Sequence, residues 1–199
     1  MKKQISILAL VVFSVVVLFS FTRPQALRGL SRGGLQSLKS KTAYTQAQIE
    51  KGKYLVEMMG CAHCHAPKKM TPQGPIPDPD LGLSGHPAKI PMGKVVKTQD
   101  WVLFHPMTTI AVGPWGASFS ANLTPEATGI GSWSEEQFLI AITEGKSKGI
   151  RTARPLLPPM PWRDYVHAKK EDLVAIFAYL KSCKPIENIV PQPISPDKL

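Results

Sequence analysis

The chain has 199 residues, enough for one domain with a hydrophobic core, and its 43% of hydrophobic residues is ordinary for a soluble globular protein. Its formal charge is +10, which fits either an ordinary solvated surface or a surface that binds an acidic patch on a partner protein. The lysines and arginines neither form one block nor alternate with aromatic residues, so nucleic acid binding is not expected.

An uncharged apolar run spans residues 5–21, after Met1-Lys-Lys-Gln4. This pattern is typical of an export signal, and its length is near the lower limit for a membrane span. The cleavage site that follows is poor and no lipobox cysteine is present, so residues 1–22 are predicted to be a membrane anchor rather than a removed signal peptide. The basic residues that follow the run favour a cytoplasmic location for this flank, but a long downstream domain can override that bias. We therefore expect a protein anchored on the periplasmic side of the cytoplasmic membrane, or soluble in the periplasm if the signal is cleaved.

The rest of the chain divides into three parts. Residues 23–44 have little apolar periodicity and predict a flexible basic tether. A globular domain is expected over residues 45–191, followed by an extended tail at 192–199. The insert at 66–121 contains nine prolines and six glycines, which predict irregular structure with at most short strands near Val95-Val96 and residues 101–104.

Three helices are predicted within the domain. The first begins at Thr45, where Thr45-Gln-Ala-Gln48 fits a capping box, and leads the chain into Cys61. The second begins with a similar box, Ser134-Glu-Glu-Gln137, and ends at Gly145. The last covers residues 170–182 and carries an apolar stripe at helical spacing.

The motif Cys61-Ala-His-Cys-His65 carries the chemistry of this chain. A disulfide-exchange pair would sit beside a βαβ unit, which is not visible, and a zinc site would need four ligands, whereas Cys183 stands alone. C-x-x-C-H is also the signature of covalent haem attachment. Cysteines three apart on a helical turn lie on neighbouring faces, so both sulfurs can reach one porphyrin edge while His65 lies under the iron. We favour one covalent haem c, with zinc binding and disulfide exchange as the alternatives.

Four further stretches stand out: Asn122-Leu-Thr-Pro-Glu126, Thr128-Gly-Ile-Gly-Ser-Trp-Ser-Glu-Glu-Gln-Phe138, Arg154-Pro-Leu-Leu-Pro-Pro-Met-Pro-Trp162 and Glu171-Asp-Leu-Val-Ala-Ile-Phe-Ala-Tyr-Leu180. With the C-x-x-C-H motif they resemble bacterial monohaem cytochrome c domains of the dehydrogenase-associated kind. The resemblance implies an all-α cytochrome c fold with long irregular loops, in which the first and last helices cross.

Two details of that implied fold depend on single residues. Gly52 would allow the first helix to approach the last closely, beside Phe177 and Tyr179. Ala168-Lys-Lys170 stands where the family has Ser or Thr, so a helix cap worth about 1 kcal/mol is expected to be missing.

The axial ligand opposite His65 has several candidates: Met70, Met92, Met107, Met160, His86 and His105. Prolines fix the backbone on both sides of Met160, and the resemblance places the family ligand there, so we predict Met160. Methionine would raise the reduction potential, whereas a second histidine would lower it. An empty position would favour gas binding or peroxidase-like catalysis.

These observations predict a monohaem c-type cytochrome that carries single electrons to or from a redox partner with an acidic docking patch. The alternatives are a catalytic haem protein, thiosulfate-oxidising or peroxidase-like, and a relay subunit that docks through the 66–121 insert. No acid–base pair or nucleophile is visible, so substrate turnover is not predicted. Trp133 is either a core residue or a haem contact, and Cys183 is expected to be a free buried thiol.

Overall fold

The computed structural model describes residues 44–95 and 98–199. The predicted anchor and the predicted tether up to residue 43 lie outside these ranges and stay predictions. Within the described ranges, no helix has both the length and the apolar character that a membrane crossing requires.

The described ranges contain five α helices: α1 (Gln46–Met58), α2 (Cys61–His65), α3 (Glu135–Thr143), α4 (Trp162–Tyr165) and α5 (Lys170–Ser182). Both predicted capping boxes are formed, at the starts of α1 and α3. Helix α5 begins as expected without a side-chain cap, because Lys169 occupies the N-cap position. Acidic residues in its first turn interact favourably with the positive end of the helix dipole.

Helices α1 and α5 pack against each other at Gly52. A Cβ atom on Gly52 would lie 1.9 Å from the Ala175 carbonyl oxygen and 2.8 Å from the Tyr179 Cβ. Any larger residue would therefore force the helices apart. Lys51 forms an ion pair with Asp172 from one helix to the other.

A hydrophobic core lies beside this crossing. Phe138 of α3 stacks on Phe177 of α5, with ring centroids 5.1 Å apart. The buried members of the core are Val56, Ala66, Leu83, Ile130, Phe138, Ile142, Leu173, Ile176, Phe177 and Leu180. The core thus joins the three predicted helices to the loop regions between them.

The 66–121 insert folds into two small antiparallel sheets, so the all-α prediction was too narrow. Strands β1 (Lys68–Thr71) and β2 (Gly74–Pro77) form the first sheet. Strands β3 (Leu103–Phe104), β4 (Ile110–Gly113) and β5 (Gly116–Phe119) form the second, in the order β3-β4-β5. Within the predicted strand 101–104, Leu103 and Phe104 form a strand. Val95 is irregular, and Val96 lies outside the described ranges.

Two hairpin turns in the insert share one sequence pattern. Each has a two-residue loop that begins with proline and is followed by glycine, Pro72-Gln-Gly74 and Pro114-Trp-Gly116. Proline presets φ for the first loop position, and the glycines adopt φ of +107° and +97°. Some of the prolines and glycines that suggested irregular structure are therefore the turn residues of short hairpins.

The C-terminal tail attaches to the outer edge of β5. The Ala117 N–H donates to the Ile194 carbonyl at 2.8 Å, and the Ile194 N–H donates to the Ala117 carbonyl at 3.0 Å. The tail then ends in a 3₁₀ turn at Pro196–Lys198. Residues 192–199 thus lie against the domain that precedes them.

Candidate functional site

The C-x-x-C-H motif forms its own short helix, α2. Gly60 separates it from α1 and adopts φ of 67°, a left-handed conformation that turns the chain sharply. Cys61 and Cys64 are half-buried free thiols, and burial raises the pKa of each. The local fold therefore presents two unpaired sulfurs and His65 from a single helical turn.

The imidazole of His65 is oriented by the main chain. Its Nδ1 lies 2.8 Å from the Ala121 carbonyl oxygen. A carbonyl can only accept, so Nδ1 carries the proton and Nε2 holds the lone pair that can bind a metal. Burial also lowers the pKa of His65, which favours the neutral form that a metal ion requires.

The insert supplies several contacts to the backbone of α2. The Gly85 N–H donates to the His65 carbonyl at 2.8 Å. The Thr108 hydroxyl and the Lys68 ammonium both donate to the His63 carbonyl. Residues from 66–121 therefore hold the motif helix in place, a role that the sequence did not reveal.

His86 is not placed to bind iron. It is fully buried, with Nδ1 2.9 Å from the Thr109 hydroxyl and Nε2 2.9 Å from the Ile90 carbonyl. The carbonyl fixes the proton on Nε2, so Nδ1 accepts from the hydroxyl. Both nitrogens are thus occupied, and His86 acts as a structural residue of the insert.

The predicted ligand Met160 lies in a loop that is tied to the sheet. Met160 is half-buried, and its N–H donates to the Leu157 carbonyl at 3.3 Å. The Ser118 hydroxyl on β5 donates to the Pro158 carbonyl at 2.7 Å. Met107 is also half-buried, whereas Met70 is 68% exposed. The loop that carries Met160 is thus hydrogen-bonded to β5, and the role of Met160 as a ligand stays a prediction.

Two further predicted residues have clear surroundings. Trp133 is partly buried and packs against the hydrophobic core, so its contact with haem stays a prediction. Cys183 is a half-buried free thiol whose Sγ lies 3.3 Å from the Tyr179 carbonyl. Its pKa is raised by burial, which disfavours the reactive thiolate.

The donor set fits haem c better than the two alternatives. In the described part of the chain, no three His, Cys, Asp or Glu side chains converge as a zinc site would require. Cys61 and Cys64 stand on a helix after an αL glycine, not at the strand–helix turn of a disulfide oxidoreductase. Two free thiols three residues apart and an imidazole with one available nitrogen are what covalent haem attachment needs.

Comparison with known proteins agrees with this geometry. A nicotinate dehydrogenase subunit of Pseudomonas putida is 38% identical over 79 residues, which cover 39% of this chain and 6% of that protein. The gluconate 2-dehydrogenase cytochrome c subunit of Pantoea cypripedii is 26% identical over 156 residues, 75% of this chain and 27% of its own length. The fructose dehydrogenase cytochrome subunit of Gluconobacter japonicus is 26% identical over 147 residues, 72% of this chain and 23% of its own length.

The chain thus spans at most 27% of the length of these three relatives. Their names agree with the resemblance to dehydrogenase-associated cytochrome c domains. The sequence model for cytochrome c matches residues 49–184, well over half of the chain, and the protein therefore belongs to the cytochrome c family.

Proposed function

We propose that this protein is a monohaem c-type cytochrome that passes single electrons between a dehydrogenase and a further acceptor, outside the cytoplasmic membrane. Membership of the family implies covalent haem c, and the single C-x-x-C-H motif supports one haem. The bound haem would supply an iron that alternates between Fe(III) and Fe(II). The observation that carries the proposal is the His65 imidazole, held through Nδ1 beside two free cysteines.

Each residue of the site would have a separate task. Cys61 and Cys64 would hold the haem through thioether bonds, and His65 would bind the iron through Nε2. Met160 would supply the second ligand to the iron, and its loop is held by the Ser118 contact. A fixed ligand loop limits rearrangement between the two oxidation states, which suits a protein that only transfers electrons.

The proposed partner is the catalytic subunit of a dehydrogenase, because two of the relatives are named as cytochrome subunits of such enzymes. Residues 44–199 contain seventeen Lys and Arg and fourteen Asp and Glu. This part of the chain therefore carries only +3 of the total charge of +10. A basic docking face must therefore be a local feature of the surface.

One segment concentrates the positive charge of the domain. Residues 145–163, which include Met160, contain no acidic residue and five basic ones: Lys146, Lys148, Arg151, Arg154 and Arg163. Arg151 pairs with Glu144 and Glu136, whereas Arg154 and Arg163 are exposed. We therefore propose this segment as the face that meets an acidic patch on the partner.

Mass spectrometry of the denatured protein tests the central proposal. The polypeptide should carry the added mass of one haem, and Cys61→Ala with Cys64→Ala should remove it. Cys183→Ala is the matched control and should retain it. Haem that leaves the wild-type chain in acidified organic solvent would overturn the proposal.

Cell fractionation and the mass of the mature N-terminus would test the proposed periplasmic location and the anchor.

A further inference from the structure

Lys68 is a buried cation beside the motif helix. It is the first residue of β1, and it is 8% exposed. Its Nζ lies 3.1, 2.8 and 2.5 Å from the carbonyl oxygens of Ala62, His63 and Ala66. Among residues 44–95 and 98–199, no carboxylate forms an ion pair with it. The Lys68 ammonium is therefore held by main-chain carbonyls of the haem-attachment turn.

The His63 and Ala66 carbonyls have no partner within α2, whereas the Ala62 carbonyl also accepts from the Ala66 N–H at 3.2 Å. The last carbonyls of any helix lack partners within the helix, and α2 has only five residues. An ammonium group has three N–H donors, which matches three acceptors, whereas a neutral amine has two hydrogens. Burial lowers the pKa of Lys68, and the three carbonyl acceptors oppose that shift because they favour the charged form.

The first hairpin brings Lys68 back against the helix that precedes it. β1 begins two residues after Ala66, and Lys68 pairs with Pro77 on β2. The Asp78 N–H donates to the Pro67 carbonyl at 2.8 Å, which closes the base of the hairpin. The neighbouring Lys69 is exposed, so only one of the two adjacent lysines reaches the motif.

We propose that Lys68 is a positioning residue that fixes the haem-attachment helix and places a buried positive charge next to the residues that hold the haem. This inference rests on the proposed function. Oxidation adds one positive charge at the iron, and a nearby cation in a poorly solvated environment disfavours that charge. Lys68 therefore stabilises the reduced form and raises the midpoint potential.

Variants at two adjacent positions separate this effect from surface charge. Lys68→Gln removes the buried charge and keeps a donor, Lys68→Arg keeps the charge, and Lys69→Gln removes an exposed charge as the matched control. Redox titration of the full chain, followed optically, should show a roughly tenfold shift toward the oxidised form for Lys68→Gln, which equals about 59 mV for one electron. Lys68→Arg should retain most of the wild-type potential, and Lys69→Gln should change the equilibrium less than about twofold, because exposed charges are screened.

The axial-ligand spectrum provides a check that the variants keep their coordination. If Lys68→Gln has the wild-type spectrum and the same midpoint potential as Lys69→Gln, the inference is wrong. A wild-type protein without covalent haem would instead refute the proposed function, and it would refute this inference as well.

A measurement on the wild-type protein covers the case in which Lys68→Gln does not load haem. Proton–nitrogen NMR should detect the ammonium group of Lys68 as a slowly exchanging signal, because its three protons are held by carbonyls. The signal should shift between the reduced and oxidised states if the charge lies near the iron. A rapidly exchanging group, or a signal that does not respond to oxidation, would overturn the inference.

Discussion

Replacement of Gly52 by alanine is the sharpest structural test, because two effects of known size oppose each other there. Alanine favours a helix interior over glycine by about 1 kcal/mol. At Gly52, however, the new methyl would lie 1.9 Å from the Ala175 carbonyl oxygen. Ordinary contact needs about 3.4 Å or more, and a main-chain carbonyl of α5 cannot rotate away as a side chain can.

Overpacking costs about 1–3 kcal/mol, and a rigid obstacle places this site near the upper end. Subtracting about 1 kcal/mol of helix propensity leaves a loss of about 2 kcal/mol in the free energy of unfolding. Guanidinium titration of the haem-loaded protein, followed by far-ultraviolet circular dichroism, would measure it. Lys53 is exposed in the middle of α1, and the difference in stability between Lys53→Ala and Lys53→Gly is the control that reports the propensity difference alone. If Gly52→Ala stabilises the protein by that same difference, the close approach of α1 and α5 is wrong.

Three further predictions concern the ligand, the insert and the partner. Met160→Ala should abolish the near-infrared sulfur-to-iron band and allow carbon monoxide to bind the iron, whereas Met107→Ala should keep the band. The opposite pattern would show that Met107 is the ligand. Burial lowers the pKa of His86 in the folded protein, so below about pH 6.5 the unfolded chain binds more protons than the folded one. The free energy of unfolding should therefore fall from pH 7 to 5. A His86→Gln variant with an equally steep fall would contradict this. Arg154→Gln should slow electron transfer to the native partner and weaken its salt dependence, while Lys53→Gln should not, and equal effects would argue against a local docking face.

The helices of this domain were predictable because their signals are local. A capping box places both partners within three residues, and an apolar stripe needs only one turn of spacing. Even the uncapped start of α5 was visible, because Lys169 has no side chain that can accept a bond from the helix N-terminus. Such signals depend little on the rest of the chain.

The sheets and the supporting contacts of the site were harder to predict, for two different reasons. Strands of two to four residues carry no measurable alternation, so only the proline–glycine turns at Pro72 and Pro114 could have indicated hairpins. The partner of His65 is the main-chain carbonyl of Ala121. Every residue has a main-chain carbonyl, so the sequence does not indicate which one accepts this bond. Lys68 also resembles its exposed neighbour Lys69 in every respect until the fold is known.

The two hydrogen bonds between the tail and β5 have a practical consequence for shortened versions of this protein. With Ile194 in place, one outer edge of the second sheet is paired, and the other is β3, where Leu103 and Phe104 are exposed beside Trp101. Removal of residues 192–199 would open a second edge on the same small sheet. Molecules with two unprotected edges can join end to end, whereas one edge allows only pairs. A domain trimmed at Pro191 is therefore expected to form chains of molecules, although the haem motif would be intact.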